Sequence, residues 1–487
     1  MKFAIVFLVW VGITILLFRL DRDRSVRVSK ALWLPTLLLL IVGSRPVSGW
    51  LNVWFGIGAS LADKGNLDAQ LDGSPLDAMV FGLLLLIGLG VLWRRSARTR
   101  SLLVASAPIL IYYFYCLVST SWSPIPLVAL KRWIKDICDL VMVLIIATEV
   151  NPLASLERLF ARVGFILFPW SIFMIRYTGL GRGFDADGNP ENVGVTTNKN
   201  TLGLITYFIT LGAVWSLLRV LRSKPHRGRA GRIVARVALV AFGLSVLYQA
   251  HSATSVACFI LGAAVIFIAD RRVLRRRPKL IHAVMSTVLL FGGTMLLFGG
   301  AGIVVHALGR KTDLTGRTDI WKAVIPLCPN PVIGAGFESF WNGFGRDIQG
   351  LSAIESRNLA TAHNGYIEIY LNLGLIGVAL ILFLLISAYR NATAAYCKDR
   401  EMGGLMLAYM CTAAIYSVAE AGFRILTPSW ISLLLAIVGS NAAFLPRLGR
   451  KPSAIPIDVK QPADPTEIRR TGFATAQRLD SGSPGRY

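Results

Sequence analysis

His363 has the residue type and the position of a general base. The motif Ala362-His363-Asn364-Gly365 leads directly into the apolar run 369–385, which predicts a histidine at the mouth of a membrane helix. The positive end of a helix favours the neutral imidazole, the form that can accept a proton. A purely structural histidine is the alternative. The carboxylic acids that compete for the role of base are Glu338, Asp319 and Glu368.

Basic residues near predicted helix ends and in one long loop indicate a site for an anion. They are Lys131, Arg132, Lys135, Arg176, Arg182, Lys199, Arg310, Lys311, Arg317, Lys322, Arg346 and Arg357. Charges at helix ends in a membrane protein usually face a bundle interior or an aqueous cavity, and the guanidinium fork matches phosphate oxygens. Pairing with nearby acids, or contact with lipid headgroups, is the alternative for each residue.

The segment 315–325 carries apolar residues at helical spacing. We therefore expect a helix capped near Thr318, with Arg317 at its start, where free backbone N–H groups also attract anions. Further along, the segment 329–341 combines glycines with Phe337, Phe340 and Trp341. Aromatic faces of this kind can stack on sugar rings, although packing of the rings against the membrane surface is an equally good explanation.

The elements that position these residues are membrane helices. The chain has 487 residues, of which 54% are hydrophobic and 16% charged, and its mean hydropathy is +0.58. Soluble domains carry about 25% charged residues, so the composition excludes a soluble globular enzyme. Runs long enough to cross about 30 Å of hydrocarbon predict an all-α polytopic membrane protein with about 12–13 spans and a large outward loop that contains short helices. The predicted spans lie near 3–20, 31–49, 76–93, 101–119, 128–148, 159–178, 201–219, 235–250, 253–269, 281–306, 366–388, 402–420 and 427–446.

The connecting loops alternate in charge. Loops rich in Lys and Arg are expected on the cytoplasmic side, and they lie at 19–30, 94–100, 219–236, 270–279 and after Tyr389. The loops expected to face outward lie at 50–75, 120–127, 179–200, 250–252, 307–365 and 421–426. Most of the net charge of +24 therefore follows from topology, and no nucleic-acid partner is predicted.

We predict two regions of different character. Residues 1–446 form the transmembrane domain, whose loop at about 307–365 carries the site, and residues 447–487 form a disordered cytoplasmic tail because they are polar and rich in Pro, Gly and Arg. No metal site is predicted. The six scattered cysteines lack the spacing of metal ligands, and the acidic segment 185–191 fails as a calcium loop because Pro190 stands where Gly is required.

Five outward motifs together resemble the O-antigen ligase and polymerase superfamily, most closely its exopolysaccharide polymerases of the succinoglycan type. The motifs are Ser121-Trp122-Ser123-Pro124, Thr197-Asn198-Lys199-Asn200-Thr201-Leu202-Gly203, Gly316-Arg317-Thr318-Asp319-Ile320-Trp321, Pro331-Val332-Ile333-Gly334-Ala335-Gly336-Phe337, and Ala362-His363-Asn364-Gly365-Tyr366 followed by Leu373-Gly374-Leu375-Ile376-Gly377. The resemblance implies a multi-helix glycosyltransferase of the inner membrane. Such an enzyme acts at the periplasmic face on undecaprenyl-pyrophosphate-linked glycan, without a metal or nucleotide cofactor.

On this resemblance, His363 and Arg317 are the predicted catalytic residues, as general base and as stabiliser of the departing pyrophosphate. Lipid, a flippase, and chain-length or export proteins are the expected partners. The residues predicted to bind pyrophosphate or sugar are Arg132, Arg176, Lys199, Asn200, Glu338, Trp341, Asn364 and Tyr366. The sequence leaves three functions open: a polymerase that extends a carrier-linked chain, a ligase that transfers glycan to lipid A core, and a transporter or scaffold.

Overall fold

A computed structural model describes most of the chain. The described residues are 2–23, 28–56, 74–184, 188–224, 228–277, 279–297, 315–343 and 361–445. The predicted tail at 447–487, two parts of the predicted long loop and the first three residues of the calcium-like segment 185–191 lie outside them.

The described residues contain eighteen α-helices, four short 3-10 helices and one β-hairpin. The helices are α1 Lys2–Leu20, α2 Trp33–Val42, α3 Val47–Phe55, α4 Pro75–Arg94, α5 Ser96–Ala105, α6 Ala107–Ser119, α7 Pro126–Ala147, α8 Pro152–Tyr177, α9 Lys199–Arg222, α10 Arg229–Ala250, α11 Ala253–Ala269, α12 Arg272–Arg276, α13 Leu280–Leu297, α14 Thr315–Val324, α15 Phe340–Gly343, α16 Gly365–Lys398, α17 Arg400–Ala419 and α18 Pro428–Ala442. Strands β1 (Arg182–Phe184) and β2 (Pro190–Asn192) pair antiparallel. The helix around Arg317 begins at Thr315, so the predicted cap at Thr318 was wrong.

The all-α, polytopic membrane class is confirmed. Among the described residues, six helices are long and apolar enough to cross a membrane, two bent helix pairs bring the number to eight, and four shorter apolar helices accompany them. Two predicted spans are bent: α2 and α3 meet at 66°, and α5 and α6 at 83°. Proline explains both bends, because Pro46 precedes α3 and Pro108 lies in the first turn of α6.

Helix α17 is the most enclosed of the candidate spans, with 94% of its apolar window buried. It packs against α11, α13, α16 and α18. Small residues let these helices approach, as at Gly262 of α11, whose Cα faces Leu211 and Thr412. The end of α17 is thereby held in the middle of the bundle, and the residue that follows it, Glu420, is buried as well.

Ion pairs tie the helices together at the end of the bundle where α1 and α9 finish. Arg232 bonds Asp23 and Glu157, and Arg219 joins Glu157 to Glu401. This end carries the loops that the sequence assigns to the cytoplasm. Its buried charges are paired with one another, as charges within a membrane protein must be.

Helix α16 is broken at Gly374, whose φ is +66°. The turn 331–336 packs into the break: the N–H groups of Ala335 and Gly336 donate to the carbonyls of Leu371 and Asn372, at 3.0 and 2.8 Å. In return, the N–H of Leu375 donates to the carbonyl of Pro331 at 2.8 Å. Two of the sequence motifs thus satisfy each other's backbone, which a broken membrane helix requires.

We expect Gly374→Ala to destabilise the protein by about 2 kcal/mol or more. An alanine at φ +66° is strained, and its Cβ would collide with the backbone of Val332. The apparent melting temperature in detergent should fall clearly. Gly90→Ala in α4 is the matched control, since nothing lies within 4 Å of the added Cβ and alanine favours a helix. Equal melting temperatures for the two variants would contradict this account of the break.

Candidate functional site

Four helix ends meet around one cavity of about 720 Å³. Helices α7, α9 and α16 begin there and α17 ends there, so antiparallel packing brings segments that are far apart in sequence to the same end of the bundle. Four cationic side chains and three carboxylates line the cavity together with one histidine. They are Arg132, Lys135, Lys199, Arg424, Glu191, Glu338, Glu420 and His363.

His363 lies two residues before α16, and its backbone is fixed on the preceding side. The N–H of Ala362 donates to Glu368 at 2.5 Å, and the indole of Trp321 donates to the carbonyl of Ala362 at 2.8 Å. Asn364 then caps the helix, its side-chain oxygen accepting from the N–H groups of Tyr366 and Ile367. The histidine is therefore held between two anchored residues, at the helix N-terminus where the sequence predicted it.

The imidazole of His363 contacts a buried carboxylate. Its Nδ1 lies 3.1 Å from Glu420 Oε2, and Arg317 donates to Glu420 Oε1 at 2.9 Å and to the carbonyl of Ala419. Burial by itself raises the pKa of Glu420, but the hydrogen bond with His363 and the charge of Arg317 outweigh it, and the pKa lies below its ordinary value. An ionised Glu420 accepts from an Nδ1–H group, and in the tautomer that carries its proton on Nδ1 the free lone pair of the imidazole lies on Nε2.

Asn364 joins the two chain segments that carry this pair. Its amide donates to the carbonyl of Val418 at 3.0 Å, so the start of α16 is bonded to the end of α17. Tyr366 makes a second link, from its hydroxyl to the carbonyl of Ala414 at 3.2 Å. These two residues set the distance between His363 and Glu420.

Glu338 lines the cavity and lies two residues after the turn 331–336 that fills the break in α16. Asn372 accepts from the N–H groups of Ser339 and Phe340, at 2.8 and 3.0 Å, and Ser119 accepts from the N–H of Phe337 at 3.1 Å. The backbone on both sides of Glu338 is thereby fixed.

Cations of the cavity contact Glu338 in two ways. Its carboxylate pairs with Arg424 at 3.1 Å, and its carbonyl accepts from Arg132. The charge of Glu338 raises the pKa of Arg424 above its ordinary value in spite of the desolvation that opposes it. Arg424 is therefore a permanent cation of the cavity.

Three residues that line the cavity have a left-handed backbone without being glycine. They are Glu338, His363 and Leu426, with φ of +48°, +49° and +53°. Such conformations cost about 1–3 kcal/mol each and gather at functional sites. Among the described residues only His251 shares this feature elsewhere.

The start of α9 and the β-hairpin close another side of the cavity. Lys199 pairs with Glu191 of β2 at 3.5 Å, and the amide of Asn200 donates to Glu420 Oε1 at 3.3 Å. Asn198 caps α9 by accepting from the N–H of Thr201 at 2.8 Å.

The structure brings half of the predicted site residues together in the cavity. These are Arg132, Lys199, Asn200, Glu338 and His363. Arg317 is absent from the lining residues and acts on Glu420. Of the others, Arg176 is exposed at the end of α8, and Trp341 is buried with its indole on Glu368 at 2.8 Å. Asn364 and Tyr366 support the site in the way described above.

Sequence reasoning missed Glu420 and Arg424. Glu420 directly precedes the short predicted outward loop 421–426, and Arg424 lies within it. The loop connects two apolar runs. An acid at the start of so short a connection and an arginine within it are the signal that could have indicated them, because charges at membrane-helix ends usually have a partner or a function. Among the described residues, no group of three or more His, Cys, Asp and Glu side chains is arranged to hold a metal ion.

The fold and the cavity define a multi-pass membrane protein with a histidine–carboxylate pair and several cations at one end of its helix bundle. Two comparisons with known proteins show what this chain is similar to. The family model described as O-Antigen ligase matches residues 237–382, a segment that includes Arg317, Glu338 and His363 but ends before Glu420. The chain is also 24% identical over 356 residues to the exopolysaccharide production protein ExoQ of Rhizobium meliloti (strain 1021), covering 70% of this chain and 77% of that protein. The resemblance to the O-antigen ligase and polymerase superfamily, of succinoglycan type, is confirmed.

The contacts of Glu420 predict a specific dependence of stability on pH. Because the pKa of Glu420 is depressed, its stabilising effect is complete above the ordinary carboxyl value of 4.5 and is lost as the pH falls through the lower value of the folded state. Glu420→Gln should lower the free energy of unfolding by about 1–3 kcal/mol at neutral pH, and the gap to the wild type should narrow below about pH 4.5.

Melting temperatures in detergent from pH 7 down to 3.5 measure this gap. Asp270→Asn is the control, since Asp270 forms a half-exposed pair with Arg222 and such pairs contribute little. If the difference in melting temperature between Glu420→Gln and the wild type stays constant over the whole pH range, the depressed pKa of Glu420 is contradicted.

Proposed function

We propose that the protein is an exopolysaccharide polymerase of the bacterial inner membrane. It would join undecaprenyl-pyrophosphate-linked oligosaccharide repeat units at the periplasmic face, with inversion at the anomeric carbon and without a metal or nucleotide cofactor. The observation that carries the proposal is the constellation of His363, Glu420 and Arg317 beside a cavity that further cations line. The similarity to an exopolysaccharide production protein over 70% of the chain supports it.

His363 is the general base of the proposed reaction. As the acceptor hydroxyl oxygen attacks the anomeric carbon, its proton passes to Nε2 of His363. The bond from that carbon to the pyrophosphate oxygen breaks, and its electron pair stays on the departing pyrophosphate. Glu420 stabilises the imidazolium that forms, as the carboxylate does in other histidine–carboxylate pairs.

The cations that line the cavity hold the donor pyrophosphate. Arg132 and Lys199 are the predicted binding residues among them, and Lys135 and Arg424 lie with them. Fixed positive charge in a water-poor site stabilises negative charge that develops on the leaving group. Arg317 supports this chemistry through Glu420, because it keeps that carboxylate ionised and in place.

A ligase that transfers the glycan to lipid A core is the second candidate. The description of the matched family, O-Antigen ligase, favours it. The two functions share the donor and the chemistry and differ in the acceptor. We place the polymerase first because the relative named for exopolysaccharide production matches a longer part of the chain.

A deletion strain separates the two functions. A polymerase predicts the loss of high-mass exopolysaccharide and the accumulation of single lipid-linked repeat units, with long-chain lipopolysaccharide unchanged. Polysaccharide sizing and lipopolysaccharide electrophoresis measure these products. Bare lipid A core with intact exopolysaccharide would establish the ligase, and no change in either polymer would contradict both functions.

In the complemented deletion strain, His363→Ala and Arg317→Ala should reduce polymer at least a hundredfold. Loss of a general base costs about 10² to 10⁴ in rate, and Arg317→Ala removes the cation that keeps the partner of that base, Glu420, ionised and in place. The controls are His282→Ala and Arg222→Ala. His282 lies on α13 beside Tyr389, and Arg222 forms a half-exposed pair with Asp270 at the other end of the bundle. Normal polymer from His363→Ala at equal membrane level would remove His363 from the mechanism.

A further inference from the structure

The cavity has two walls of different chemistry. One, which we call the cation wall, consists of Arg132, Lys135, Arg424 and Glu338. The other, which we call the hairpin wall, consists of Phe184 and Glu191 of the β-hairpin with Thr197, Asn198 and Thr201 at the start of α9. The proposed mechanism assigns the pyrophosphate to the cation wall and to Lys199, which pairs with Glu191 of the hairpin wall, and it gives the other residues of the hairpin wall no task.

The hairpin is fixed to the bundle on both strands. Arg182 donates to the carbonyl of Ile175 at 2.9 Å, and Asn192 donates to the carbonyl of Gln249 at 3.0 Å. The N–H of Val193 also donates to the carbonyl of Gly181 at 2.9 Å. Although the hairpin is anchored in this way, the ring of Phe184 is 76% exposed where it lines the cavity. The contacts of the hairpin therefore fix the position of Phe184, and burial of its ring does not.

The residue types of the hairpin wall suit a saccharide. A sugar ring presents hydroxyl groups at its edge and C–H groups on its faces. Short amide and hydroxyl side chains, such as those of Thr197, Asn198 and Thr201, bind hydroxyl groups in either direction. The carboxylate of Glu191 is a strong acceptor, and the exposed ring of Phe184 offers an apolar face.

His363 lines the same cavity as both walls. Glu420, which contacts its imidazole, also accepts from the amide of Asn200 beside the hairpin wall. In an inverting displacement, the attacking oxygen and the leaving oxygen approach the anomeric carbon from opposite sides. If pyrophosphate occupies the cation wall, the attacking hydroxyl comes from the side of the hairpin wall.

We infer that the hairpin wall is the binding site of the acceptor saccharide, with Phe184 stacking on a sugar ring and Glu191, Thr197, Asn198 and Thr201 binding its hydroxyl groups. The inference rests on the proposed function for the identity of the acceptor. It adds a site that neither the motif at His363 nor the basic residues indicate. Phe184 then determines affinity for the acceptor and takes no part in proton transfer.

Binding measurements on the full-length protein in detergent test the site. The first probe is the repeat-unit oligosaccharide, released by mild acid from the lipid of the deletion strain and reduced at its reducing end. The second probe is inorganic pyrophosphate. Phe184→Ala should bind the oligosaccharide about tenfold more weakly than the wild type and pyrophosphate equally well. Phe184→Trp should restore oligosaccharide binding because it restores an aromatic face.

Two further variants make the test specific. Arg132→Ala should show the opposite pattern, with weaker binding of pyrophosphate and unchanged binding of the oligosaccharide. Phe114→Ala removes a ring that is 66% exposed on α6 and should change neither. In transfer assays with lipid-linked donor, Phe184→Ala should raise KM for the oligosaccharide acceptor about tenfold and leave kcat within about twofold.

Equal oligosaccharide binding by Phe184→Ala and the wild type would overturn the inference, and so would an equal loss of both probes. The proposed function fails in a different way. If the wild type transfers no sugar but still binds the oligosaccharide through Phe184, the saccharide site stands and the polymerase assignment falls. If His363→Ala abolishes transfer and Phe184→Ala leaves KM unchanged, the polymerase stands and the acceptor site falls.

Discussion

The carboxylate of Glu420 is the group on which the site depends. A buried carboxylate far from water is costly unless several donors reach it, and here His363, Arg317 and Asn200 all do. These three residues come from the start of α16, from α14 and from the start of α9. Satisfying one charge therefore brings three distant segments of the chain to the end of α17. The same contacts hold the imidazole of His363 and keep Glu420 ionised, so they stabilise the fold and also suit the proposed proton transfer.

Backbone hydrogen bonding imposes the second constraint. A membrane helix that breaks must have its freed N–H and C=O groups satisfied within the protein. The break of α16 at Gly374 is filled by the turn 331–336, and that turn fixes Glu338 at the cavity. The glycines are required by backbone geometry: Gly334, Gly336 and Gly374 all have positive φ and lie against neighbouring backbone. The turn that fills the break thus also fixes the position of Glu338, whose side chain lines the cavity.

The charged side chains at the two ends of the bundle are arranged differently. At the end assigned to the cytoplasm, Arg219 and Arg232 are paired with Glu157 and with acids of neighbouring helices, which ties those helices together. At the other end, charges of both signs surround a cavity of about 720 Å³. The first arrangement consists of closed ion pairs, whereas the second encloses open space between its charged groups.

The sequence by itself determined the all-α membrane class, because apolar runs of sufficient length have few other folds available to them. It also indicated His363, Arg132, Lys199, Asn200 and Glu338, since polar groups at the ends of apolar helices and glycine-rich turns are local signals. The bends at Pro46 and Pro108 have local causes as well, although the continuous apolar runs at 31–49 and 101–119 predicted unbent spans there. Only the tertiary structure decided which of these residues act together. The pairing of His363 with Glu420 spans 57 residues and that of Glu338 with Arg424 spans 86, and no periodicity encodes such contacts. The packing of α16 against α17 around the buried charge of Glu420 determines both pairs. The same packing places Trp341, Asn364 and Tyr366 where their hydrogen bonds hold the site residues in position.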